Sequence, residues 1–141
     1  MIELSHFREE EFNYPDEMDQ TFLYFLDAVR IRADMPFYLT SDGRTVKTND
    51  AVRGSKNSLH VFTEVFRASA VDFVTDGCKA RNAQVYYSEL WRITESVVLV
   101  KSTLARKVQL ELVKGPNDWH VHLGLYPDGW KGPDKIILAT T

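Results

Sequence analysis

Five apolar residues, Met18, Phe22, Phe25, Leu26 and Val29, fall at i, i+4, i+7, i+8 and i+11. That spacing lines one stripe of a helix and leaves Asp19, Asp27, Arg30 and Arg32 mostly off it. A stripe this apolar must be covered, so the chain has to supply a second layer. Pro15-Asp16-Glu17 carries acidic residues suited to a helix N-terminus, and the pattern predicts a helix over Asp16–Ala33 packed on a sheet. The sheet is readable further on. Val108, Leu110 and Leu112 alternate with Lys107, Gln109 and Glu111, the two-residue period of a half-buried strand. Gly115-Pro116-Asn117-Asp118 is a turn signal, Trp119 to Leu125 reads as the next strand, and Ile136-Ile137-Leu138 as a last one. Shorter strands are expected at Pro36–Thr40 and Ala70–Val74, a loop over Thr45–Ser58 and a second helix over Ala80–Ile93. Early helices and a late antiparallel meander make the expected class α+β.

The chain has 141 residues and no internal repeat, which fits one domain large enough to bury a core without disulfide staples. Cys78 is the only cysteine, so an intrachain disulfide and the multi-cysteine zinc sites are both excluded. A zinc site here would have to use histidine and carboxylate ligands. The formal charge of −3, with no basic block, argues against nucleic acid as the main partner. No apolar run approaches the ~20 residues of a membrane span. Met1 to His6 lacks the basic and then apolar arrangement of a secretory signal.

Of the four histidines, His120 and His122 sit in Trp119-His120-Val121-His122, where strand alternation puts both on one face. Two imidazoles so placed can bind a metal, although by itself His-x-His more often marks a pair of surface histidines. Asp72 lies between Val71 and Phe73, where a carboxylate is costly unless paired, metal-bound or turned to solvent at a strand end. Cys78 reads as a buried structural thiol, and nothing around Ser58 marks a nucleophile elbow.

Further segments fall in a particular order. Phe7-Arg8-Glu9-Glu10-Glu11-Phe12 is followed by Leu26, Asp27 and Arg30 in the helix, then by Phe37 to Thr45 with Arg44, by Ser58 and His60, by Ala70 and Asp72, and by the Trp119–His122 run. In this order they resemble the zinc D-Ala-D-Ala carboxypeptidases and L-alanyl-D-glutamate endopeptidases that cut peptidoglycan stem peptides. The vancomycin-resistance D,D-dipeptidases are relatives, and the likeness is closest to short phage and prophage members. The resemblance runs from Phe7 to about Tyr126. It departs from the family at Asp42 and Gly43, at Ala68 in a glycine's place, and at Val61–Arg67, which lengthens the gap between His60 and Asp72.

The resemblance implies a hedgehog/DD-peptidase-like antiparallel sheet with the N-terminal helix packed on it. It implies zinc held by His60, Asp72 and His120, with His122 as the alternative ligand, and an open fourth position for the water that attacks the amide. Arg44 and Ser58 then face the substrate. The family's general base stands three residues before its last histidine. Asn117 occupies that place here, and an amide has no useful basicity, so the role is expected to pass to Asp118. The implied partners are the peptidoglycan stem peptide and phage virion proteins. The implied location is a virion, or host cytoplasm before release to the cell wall. The alternative is a catalytically weakened relative that binds peptidoglycan or serves as a virion structural module.

Overall fold

The computed structural model describes residues 1–54, 57–75, 92, 106–114 and 119–138. The expected helix over Ala80–Ile93, Cys78, Asn117 and Asp118 all lie outside these residues.

The first helix, α1 (Gln20–Ala33), begins four residues later than the apolar period suggests. Asp19 sets the start: its extended backbone breaks the helix, and its carboxylate accepts the Phe22 N–H at 2.8 Å. Pro15–Glu17 forms a separate 3-10 turn, and Met18 is extended and bridges to Ala68. At the other end Asp34 adopts the left-handed conformation, φ 51°, and stops the helix. The stripe itself is buried, with Met18, Phe22, Phe25, Leu26 and Val29 all at 3% exposure or less.

Asp27, off the stripe by periodicity, is buried as well. It accepts the backbone N–H groups of Ser5 and His6, both at 3.0 Å, while Arg30 donates to the His6 carbonyl and lies over the Phe7 ring. The Leu26-Asp27-x-x-Arg30 segment therefore clamps the N-terminal residues to the helix, which lets Phe7 and Phe12 pack together in the core.

The sheet contains β1 (Tyr38–Ser41), β2 (Ala70–Val74), β3 (Val108–Lys114), β4 (Trp119–Leu125) and β5 (Lys135–Leu138), in the order β1-β2-β4-β3-β5. The first four are antiparallel to their neighbours. The fifth is parallel to β3, which corrects the all-antiparallel meander. After β4 the chain reverses, so β5 runs against β4 and therefore along β3. Because β2 already occupies the other edge of β4, the free edge of β3 is where β5 lands. The stretch read as a loop also contains a short helix, α2 (Val46–Ala51), capped by the Thr45 hydroxyl. A six-residue helix is too short to show a period.

One face of the sheet, with Val71, Phe73, Leu110, Val121 and Leu123, joins α1 in a single apolar cluster. Leu26 is fully buried there. Leu26→Asp is expected to cost on the order of 3–5 kcal/mol, from lost packing and an unpaired buried charge. The check is the thermal or denaturant midpoint, and an unshifted midpoint would place the stripe in solvent.

Candidate metal centre

The opposite face of the sheet carries the polar residues. Ser41, Asp72, His122 and Glu111 are direct register neighbours across β1, β2, β4 and β3, so they form one transverse row. Directly opposed residues have Cβ atoms roughly 5 Å apart, close enough for side chains to meet. His60 comes from the loop before β2. Three backbone bonds fix that loop: Arg44 N–H to the His60 carbonyl at 2.7 Å, Ser69 N–H to the Leu59 carbonyl at 2.8 Å, and Val61 N–H to the Ser58 carbonyl at 3.2 Å. The imidazole is thereby pushed over the row with only 4% of its surface exposed.

The result is a triangle of ligand atoms. His60 Nε2 lies 3.2 Å from Asp72 Oδ1 and 3.2 Å from His122 Nδ1, and His122 Nδ1 lies 2.9 Å from Asp72 Oδ1. The outward ring nitrogens decide what these atoms carry. His60 Nδ1 faces the Asp42 backbone carbonyl at 2.8 Å, and His122 Nε2 faces Gln109 Oε1 at 2.7 Å. Both oxygens only accept, so both outward nitrogens hold a proton. The two inward ring nitrogens then face Asp72 Oδ1, placed either to donate a proton to the carboxylate or to offer a lone pair to a cation. Three such atoms within 3.2 Å of one another need positive charge among them, either a proton on a ring nitrogen or a metal ion. Burial acts to raise the Asp72 carboxyl, but hydrogen bonds from His122 and His60 and their charge outweigh it, holding the group far below the ordinary carboxylate range. The site is thus built around an anion at neutral pH. His60, Asp72 and His122 together could hold a metal ion.

His120, the residue expected as third ligand, is outside this group, and His122 stands in its place. Both histidines do share a face of β4 and line the same cavity. The strand register separates them: β2 sets Asp72 opposite His122, whereas His120 is opposite Val113 of β3. A diagonal neighbour is roughly 7–8 Å away and a direct one roughly 5 Å, and it is the directly opposed His122 whose ring meets Asp72.

Arg44 and Ser58 line the cavity. The Ser58 hydroxyl oxygen accepts the His60 N–H at 3.2 Å, so Ser58 also shapes the loop carrying that ligand. Arg44 donates to Ser41 Oγ at 2.9 Å and stands 3.9 Å from Asp72 Oδ2, leaving its side chain one-fifth exposed to the cavity. Its other terminal nitrogen is 3.5 Å from Oδ1 of the buried Asn49. A Cβ on Gly54 would come within 2.1 Å of that same oxygen, so only glycine leaves room for Asn49 there. The lengthened Val61–Arg67 segment does not part the ligands. Val61 and Phe62 are half-buried, Phe62 against Tyr14, while Val65 and Phe66 are exposed.

The sequence assigns no site role to Asp42, Gln109 or Glu111. Asp42 contributes its carbonyl to His60, while its buried carboxylate grips Asn13 through the backbone N–H at 2.6 Å and the side-chain amide at 3.0 Å. Gln109 and Glu111 face the cavity, and Glu111 is joined to Lys135 at 2.7 Å. The alternation in β3 puts these two on one face, but nothing local says that the face is the one with His122. No family model, no curated protein and no solved structure matches the chain.

Proposed function

We propose that the chain is a zinc peptidase that hydrolyses amide bonds of peptidoglycan stem peptides, with His60, Asp72 and His122 as the metal ligands. The observation that carries this reading is the convergence of three candidate ligand atoms, two imidazole nitrogens and a carboxylate oxygen, at distances of 2.9–3.2 Å. Tetrahedral zinc with ligands at about 2.0–2.1 Å has edges of roughly 3.3–3.4 Å, so the triangle is close to the face of such a site. Two imidazoles and one carboxylate suit zinc, whereas calcium and magnesium prefer all-oxygen shells. The ordered resemblance in the sequence supplies the substrate class.

Bound zinc supplies a Lewis acid that activates water and polarises the scissile carbonyl. The protein's own groups supply the rest. Arg44, held by Ser41 and Asn49, offers its guanidinium to a carboxylate of the stem peptide and orients the substrate. Glu111 is the cavity carboxylate among the described residues that is not in the ligand triangle. It takes the proton of the attacking water and returns it to the leaving amine. In this reading Glu111 fills the role expected of Asp118.

Purified protein is expected to release stem-peptide fragments from peptidoglycan, detected by mass spectrometry, and to stop when zinc is chelated. Cleavage unaffected by chelation would overturn the metal chemistry. Zinc bound without any product would leave the weakened, peptidoglycan-binding relative.

Gln109 is expected to tune the metal. Gln109→Leu removes the acceptor that fixes the His122 tautomer and should weaken zinc binding by about 10–100-fold. Gln109→Glu keeps an acceptor oxygen and should retain tight binding. Chelator competition reads both, and equal affinity in all three proteins would refute the role.

A further inference from the structure

Beside the metal cavity of about 300 Å³ lies a larger groove of about 690 Å³, and the two share Asn57, Ser58, Leu59, Gln109 and Lys135 in their walls. A ligand lying in the groove therefore continues into the metal cavity. The groove volume is in the range of small-molecule sites.

Three features define what the groove accepts. Trp130, 48% exposed, lines one wall and stacks on Tyr126 with ring centres 4.4 Å apart and planes within 3°. The second ring backs the indole and holds it as a rigid flat surface. The groove is also lined by a hydrogen-bonded turn that carries Val65 and Phe66. Thr63 Oγ accepts both of their N–H groups, and Thr63 N–H bonds the Phe66 carbonyl.

The second feature is the absence of free charge among the described lining residues. Arg106 pairs with Asp19 at 2.9 Å, Arg67 with Glu17 at 3.1 Å, and Lys135 with Glu111 at 2.7 Å. Third, the hydroxyls of Ser58 and Thr63 each accept a backbone N–H and keep a proton to donate. The groove thus offers flat apolar surface with neutral hydrogen-bonding groups at its edge. That combination matches an uncharged ring with one apolar face and a rim of hydroxyl and amide groups.

We infer that this groove binds N-acetylated sugar units of the glycan strand, seating the saccharide on Trp130 while the attached peptide reaches the metal cavity. The inference rests on the peptidase reading for its substrate, but the binding it requires is measurable without any cleavage. The intact chain is titrated by calorimetry with the N-acetylglucosamine tetramer and, separately, with a sugar-free alanyl-glutamyl peptide.

Saturable binding of the tetramer is expected, weakened about three- to tenfold in Trp130→Leu, with zinc content and melting temperature unchanged. Phe66→Ser, in the turn that also lines the groove, is a second variant expected to weaken the tetramer. No saturable binding of the tetramer, or binding that both variants leave intact, overturns the inference. Binding of the peptide alone in the groove, lost in Trp130→Leu, also overturns it and makes the groove a peptide subsite. If the tetramer binds as stated and no amide is ever cut, the saccharide site stands and the peptidase reading falls.

Discussion

Replacing His122 by alanine is expected to abolish high-affinity zinc binding, while His120→Ala leaves it intact. His122 Nδ1 is one corner of the ligand triangle, 2.9 Å from Asp72 Oδ1 and 3.2 Å from His60 Nε2. Removing it leaves two ligands, so affinity should fall by more than the roughly 10–100-fold that follows loss of an outer hydrogen-bond partner. Peptidoglycan cleavage should fall with the metal. His120 is on the same strand face but opposite Val113, outside the triangle. Its removal is expected to change the shape of the cavity wall and not the metal content. Metal analysis after dialysis, with chelator competition on each variant, decides the matter. The reverse result, zinc lost in His120→Ala and kept in His122→Ala, would mean that β4 pairs with β2 two residues out of the register described above.

The second large effect is expected at Glu111. Glu111→Gln is nearly isosteric and removes the basicity, so zinc content should stay normal while cleavage falls by roughly 10²–10⁴-fold. Little stability is at stake. The ion pair to Lys135, whose side chain is 48% exposed, is of a kind that contributes about 0–1 kcal/mol. A loss of activity with an unchanged melting temperature thus reports chemistry. Asp118→Asn is the paired measurement. Full activity in Glu111→Gln together with collapse in Asp118→Asn would return the proton transfer to the residue expected from the resemblance. An intermediate loss in both would show two carboxylates sharing it.

The contrast between His60 and His122 shows what the sequence can and cannot say. His60 and Asp72 were expected side by side only through the ordered resemblance, in which Ser58-x-His60 and Ala70-x-Asp72 take the motif places, and the structure brings the two together. The helix stripe was legible because a 3.6-residue period is a property of neighbouring residues. Its start was misplaced because the acidic residues before it, Asp16 and Glu17, look like a first helical turn, whereas the Asp19 side chain is what caps the helix. Alternation placed His120 and His122 on one face of β4 and Gln109 and Glu111 on one face of β3, each by a two-residue period.

By itself the sequence determined the layers: an apolar helix stripe that demands a sheet, strands with one polar face, and a histidine pair, a lone histidine and an aspartate available to a metal. The tertiary structure decided which of these meet. Register is a relation between strands far apart in the chain, and a slip of two residues keeps every side chain on its proper face while changing every partner. Choosing His122 over His120, setting Glu111 in the row with Asp72, turning Gln109 onto the His122 ring and placing β5 parallel on the edge of β3 all depend on that pairing. The pairing is set by how the whole apolar face closes on α1, and no local pattern encodes it.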